Sequence, residues 1–134
     1  MKPVPLALGL TAALLALTIA CASGEHGASG KSAGPKVTPE MLVKGQGLYK
    51  STCAPCHGEG GKGDGPAGKI FKPRPQDHTN AEYMDTLSDE DLAKTIQMGG
   101  AIKGKPSMPS NPQIRGEDLT ALIAHIRSLS HSDR

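Results

Sequence analysis

Cys53 and Cys56 stand three positions apart and His57 follows at once. Two thiols and an imidazole at this spacing have few chemical uses. Held on a tight turn, the thiols can each add to a different vinyl group of one porphyrin, and the adjoining imidazole then lies under the iron, which is the attachment pattern of a covalently bound haem. Neutral imidazole is a good iron ligand, and a tethered macrocycle cannot exchange it as the iron changes charge. Cys-Ala-Pro-Cys also has the form of a thiol-disulfide oxidoreductase motif or of half a zinc site. The first needs a βαβ context, and no alternating β-branched run flanks the pair. The second needs further thiols, and no cysteine follows Cys56. A plain Cys53–Cys56 disulfide would leave His57 without a purpose.

Iron in such a site takes a second axial ligand. Ala101 to Pro112 is a proline-bounded, irregular stretch carrying Met108. A thioether opposite a histidine favours the reduced iron, so Met108 is the expected sixth ligand. Met84 and Met98 fall at helical positions suited to core methionines, and Met41 lies on the segment entering the haem motif. His78 or His125 would instead give a bis-histidine iron; His78 reads as a surface loop residue and His125 as a helix-face residue. His57 also needs an acceptor for its remaining N–H, and a prolyl carbonyl on a rigid segment can supply one. Pro73 is the expected acceptor with Pro75 as its alternative, against the plainer reading that these prolines only shape the turn.

The elements that must position these groups are legible in order. Thr38-Pro39-Glu40 is a helix start, with a hydroxyl N-cap, proline at the first helical position and an acid near the positive end of the dipole. The helix should run to about Lys50, with Met41, Leu42, Gly45, Leu48 and Tyr49 on one face, delivering the chain into Cys53. Gly45 and Gly47 cost stability inside a helix, and close approach of another helix would explain one of them. Gly58 to Gly68 is a loop by composition; it lacks the flanking strand and the Lys-Ser/Thr pair of a phosphate cradle. Asn80 can cap a short turn through Met84. Leu87-Ser88-Asp89-Glu90-Asp91-Leu92 combines an N-cap, an acid at the third helical position and staple leucines, and that helix stops at Gly99-Gly100. A last helix after Gly116 carries Leu119, Leu122, Ile123, Ile126 and Leu129 at helical spacing. Its stripe packs on the first helix, over the haem, or on both. No segment alternates like a strand, so the domain reads as all-α.

Residues 1–22 form a leader by pattern: Lys2, then an uncharged Ala/Leu-rich run from Pro3 to Ser23. Three fates fit it. Thr18-Ile19-Ala20-Cys21 resembles a lipoprotein signal box with Cys21 lipidated; Ala20-Cys21-Ala22 suits cleavage after Ala22; and the run is about the 20 apolar residues needed to span a bilayer uncut. Residues 23–36 hold no large apolar side chain and read as a flexible linker in which His26 is solvated, an arrangement that favours a lipid tether. All three fates put the domain, residues 37–131, outside the cytoplasm, and the expected location is the periplasm, lipid-anchored through Cys21.

Composition agrees with a small domain built around a large apolar group. The 134-residue chain has no Trp, one Phe and two Tyr, so a porphyrin would supply missing apolar area. A formal net charge of +2 with no clustered basic face argues against a nucleic-acid partner. No second haem motif occurs, so one haem per chain is expected.

Taken together, Gly45-x-x-Leu48-Tyr49, Cys53-Ala-Pro-Cys56-His57-Gly58, Gly63-Asp-Gly-Pro66, Leu87 to Leu92 and Lys105-Pro-Ser-Met108-Pro109 resemble a bacterial class I mono-haem cytochrome c over roughly Val37 to Ser130. The resemblance implies the all-α cytochrome c fold around one covalently attached haem c. It also implies that the first and last helices cross at right angles with a glycine against an aromatic residue; Gly45 matches the glycine. His125 stands where relatives usually carry Tyr or Trp, and His78 where they often have Phe.

The function this supports is one-electron transfer between protein redox partners outside the cytoplasm, with no catalysis by the domain itself. Two filled axial positions leave no open iron for a substrate. Lys62, Lys69, Lys103 and Lys105 could face an acidic partner near the haem edge. The alternatives are a haem peroxidase or gas sensor with a labile sixth ligand, or an electron-transfer subunit of a larger oxidoreductase complex. Protein exported from a haem-maturing host should outweigh its amino acids by one haem, and the same mass spectrum should show a diacylglycerol on Cys21 or a start at Ser23. A mass equal to the polypeptide alone would contradict haem attachment.

Overall fold

The computed structural model describes residues 36–131. The expected leader, Cys21, and all of the expected linker except Lys36 lie outside these residues. Five α-helices follow in order: α1 (Pro39–Thr52), α2 (Ala54–His57), α3 (Ala81–Met84), α4 (Asp89–Met98) and α5 (Glu117–Ser130). Short 3-10 helices cover Pro66–Ile70 and Gly100–Lys103. Among the described residues there is no strand, as the sequence predicts.

Local chemistry sets the ends of these helices. Thr38 Oγ1 accepts from Met41 N at 3.3 Å, which satisfies one of the donors left over at the start of α1. Asn80 Oδ1 does the same for Tyr83 N in α3. Ser88 and Asp91 form a reciprocal box: Asp91 N donates to Ser88 Oγ at 3.0 Å and Ser88 N donates to Asp91 Oδ2 at 3.1 Å. Helix α4 ends at Gly99, whose φ of 81° is a conformation other residues avoid. Pro66 opens a 3-10 turn inside the stretch expected to be plain loop.

Helix α5 packs along α1 more extensively than any other two elements pack. The predicted stripe supplies the contact: Leu122, Ile123 and Ile126 are buried, and Leu119 and Leu129 pack against them. The buried face is wider than the leucines and isoleucines alone, because Ala121, Ala124 and His125 are buried too. Tyr49, Met84, Leu92, Ile96 and Ile114 complete the core. Met84 is fully buried, the core role expected of it, whereas Met98, expected in the same role, is 59% exposed at the end of α4.

Gly45 is where the two helices come closest. A Cβ built there would run into the carbonyl oxygen of Ala121 and stand 2.9 Å from His125 Cβ. The obstacle is helix backbone, which cannot turn aside as a side chain can. His125 takes the aromatic position beside this glycine, its ring edge-on to Tyr49 with centroids 5.1 Å apart at 63°. It is buried at 9% exposure, part of the crossing itself and not a ligand waiting on a helix face.

Arg127 ties α5 to the rest. Its guanidinium donates to the carbonyls of Met84 and Leu87 and to Asp89 Oδ1, linking the end of α3, the following turn and the start of α4. The Met84 carbonyl also accepts from Leu87 N, so the guanidinium joins a turn that is already closed on itself.

Two glycine substitutions in α1 should move stability in opposite directions. Gly47→Ala meets nothing within 4 Å and should raise stability by up to about 1 kcal/mol through helix propensity. Gly45→Ala gains the same propensity but must separate the helices, and overpacking of about 1–3 kcal/mol wins. Thermal unfolding of the two haem-loaded variants checks this, with midpoints above and below that of the parent.

Candidate functional site

Cys53 is shared by two helices. It closes α1, with its N–H donating to Tyr49 O at 2.8 Å, and it opens α2 as its N-cap. His57 N donates back to Cys53 O at 2.9 Å, so a single turn of helix carries Cys53, Cys56 and His57 together, as their spacing predicts. The two thiols are half-buried and not bonded to each other. Burial pushes the Cys53 thiol up to about 11, which keeps it protonated at neutral pH.

The loop after His57 folds back over this turn. Gly63 N donates to His57 O at 2.8 Å and Gly61 N donates to Gly58 O at 3.1 Å. The Pro66–Ile70 turn packs on α2, with Gly68 so close that a Cβ would collide with Cys56 O. The sequence motif of glycines is thus a lid of bare backbone over the thiol-bearing turn.

His57 is buried, and its Nδ1 lies 3.0 Å from Gln76 O. A carbonyl can only accept, so Nδ1 carries the proton and Nε2 keeps its lone pair. Burial lowers the His57 pKa, which holds the ring neutral. The acceptor corrects the sequence reading, which put Pro73 in this role and Pro75 as its alternative. The Pro75 carbonyl faces Gly63, where a Cβ would run into it, and the next carbonyl along is the one that reaches His57.

His78 was expected at the surface, and the structure places its ring on His57. The two imidazoles are stacked with centroids 4.3 Å apart and planes 16° from parallel. His78 Nδ1 lies 3.2 Å from the Tyr49 hydroxyl and its backbone N donates to Gly61 O at 2.7 Å. Burial first, and then the neighbouring His57, push its pKa down to about 3. A ring engaged in this way on the His57 side cannot serve as the opposite axial ligand. His125, within the α1–α5 contact, cannot either.

Met108 lies half-buried in a loop closed on itself. Gly100 N donates to Met108 O at 3.0 Å, Lys105 N to Gly100 O at 2.8 Å, and Met108 N to Lys105 O at 3.1 Å. Asn111 N donates to Ile96 O, which fastens the loop to α4. Lys105 Nζ reaches across to Gln76 Oε1 at 3.1 Å. Gln76 therefore holds His57 with its backbone and the Met108 loop with its side chain. Sequence reasoning missed this residue, since a glutamine in a proline-rich loop carries no signal of either contact.

The residues fit a covalently bound haem. One imidazole presents a free Nε2 beside two unbonded thiols, and a thioether lies on a loop tied to the same segment. Large apolar side chains on the flanking elements are exposed, Ile70 at 80% and Met98 at 59%, surface that a porphyrin could cover. Among the described residues no three His, Cys, Asp or Glu side chains gather as a metal site of their own.

Residues 42–130 match the family model described as cytochrome c. Over 93 residues, 69% of this chain, the sequence is 33% identical to cytochrome c oxidase subunit 2 of Alkalihalophilus pseudofirmus. The matched stretch spans 27% of that protein's length.

Gly63 gives this arrangement a test. Its φ of 71° costs an L-residue about 1–2 kcal/mol, and a Cβ would also press on the Pro75 carbonyl. Gly63→Ala should lower the denaturant midpoint of the haem-loaded protein by at least that cost, whereas Gly60→Ala, which meets nothing within 4 Å, should leave it nearly unchanged.

Proposed function

The chain belongs to the cytochrome c family, binds haem c covalently and takes part in haem-based electron transfer, and from that premise we propose that it is a class I, one-electron carrier of the periplasm with a His/Met-ligated iron. Cys53 and Cys56 would hold the haem through two thioether links, and His57 Nε2 and Met108 would bind its iron. The observation that carries this reading is the His57–Gln76 hydrogen bond, which leaves Nε2 unprotonated next to two free thiols.

When bound, the haem supplies a one-electron couple at the iron. The chain's own residues do the rest. Gln76 O holds the proton on Nδ1 of His57, which fixes the tautomer in both oxidation states. The self-closed loop holds Met108 with few degrees of freedom, so little needs to move when charge changes. The Lys105 ammonium, hydrogen-bonded to Gln76, stands near His57 and adds to the burial that keeps this ring neutral. Lys62 and Lys69 are exposed on the Gly-rich side and suit an acidic protein partner. Lys103 is paired with Asp91 at 3.6 Å and Lys105 with Gln76, so they are less available for docking than the sequence suggests.

Location and tether belong to the same proposal: a leader over residues 1–22, a linker to residue 36, and a lipid on Cys21 holding the domain at a membrane that faces the periplasm. Among the described residues no helix is long and apolar enough to cross a membrane. A second reading has an observation in its favour. The relative from Alkalihalophilus pseudofirmus is an oxidase subunit, and a module of this kind could serve a larger oxidoreductase complex as its electron entry.

Optical spectra test the carrier reading. The ferric protein should show the weak red band of thioether-bound iron, and Met108→Ala should abolish it while Met98→Ala leaves it in place. A parent protein that is high-spin when ferric, or that binds carbon monoxide readily when ferrous, would favour a sensor or peroxidase instead.

A further inference from the structure

We infer that His78 is a positioning residue: its ring, pinned by the Tyr49 hydroxyl, fixes the plane of the His57 imidazole. The inference rests on His57 being an axial ligand and asks what stops that ligand from turning.

A single bond from Nε2 to iron leaves an imidazole free to rotate about that bond. The Gln76 carbonyl restrains the rotation only in part, because a carbonyl accepts over a broad range of directions. The His78 ring is a stronger constraint. It lies nearly parallel to His57 at 4.3 Å, so any large rotation of His57 within its pocket drives one ring edge into its neighbour.

His78 is itself immobile. Its backbone N is bonded to Gly61 O, its Nδ1 to the Tyr49 hydroxyl, and its ring meets Tyr49 edge-on at 68° with centroids 5.9 Å apart. Tyr49 is 1% exposed and is held from the other side by His125, within the α1–α5 crossing. The crossing thus reaches His57 through an unbroken series of packed rings. A leucine at position 78 would fill space without presenting a flat face. A phenyl ring would present the face but leave the buried Tyr49 hydroxyl without its partner.

Ligand-plane orientation is read directly by the g values of low-spin ferric haem, which a purely structural role would not move. In the haem-loaded protein, His78→Ala should shift and broaden the low-spin electron paramagnetic resonance signal, and His78→Phe, which keeps a flat ring, should lie closer to the parent. The inference is overturned if His78→Ala keeps the parent g values, or if the Ala and Phe variants shift alike. Should His78→Ala not be recovered folded, His78→Leu decides: a side chain that fills the space without a flat face should shift the signal, and an unmoved signal overturns the inference. Failure of the ligand assignment is separate, because it would show in the parent itself, as a missing low-spin signal or a missing thioether band.

Discussion

The backbone-to-backbone approach of α1 and α5 at Gly45 is the constraint on which the rest depends. Only a residue without a side chain lets α1 lie against the Ala121 carbonyl. That closeness buries Tyr49 and His125 together, and Tyr49 then has nowhere to send its hydroxyl except toward His78. Since Cys53 is the last cap of α1, the direction in which α1 leaves the crossing also aims the turn that bears both thiols and His57. Fold and site are one mechanical system. Helix packing at one end determines where an imidazole nitrogen points at the other.

The domain is nearly symmetrical in how it treats the two segments that carry His57 and Met108. Each is a loop whose conformation is settled by its own backbone hydrogen bonds before any large group is considered: Gly63 N to His57 O on one, Gly100 N to Met108 O on the other. Gln76 joins them, with its main chain engaged on the first and its side chain on the second. Segments joined this way have little freedom to move apart, which suits a centre that changes charge.

Helix starts were readable because capping is local: Thr38, Asn80 and the Ser88/Asp91 pair act within three residues of themselves. The thiol-imidazole turn was readable for the same reason. What escaped were contacts between segments distant in sequence. Whether Pro73, Pro75 or Gln76 offers its carbonyl to His57 depends on where Gly63 seats the neighbouring backbone, and no local pattern encodes that. His78 looks like a loop residue until Tyr49, 29 positions earlier, supplies its hydroxyl. His125 broke the expected aromatic pattern at the crossing, yet an imidazole edge-on to a phenol fills the same need.

Arg127 carries a consequence for how the domain opens. Its three acceptors cap α3, the turn beyond it and the first residue of α4, all from one side chain near the C-terminal end of α5. Fraying of the end of α5 therefore costs more than its own turn, because it withdraws the guanidinium from carbonyls some 40 residues away. The C-terminal helix and the α3–α4 corner are coupled through this side chain, so opening one withdraws hydrogen bonds from the other.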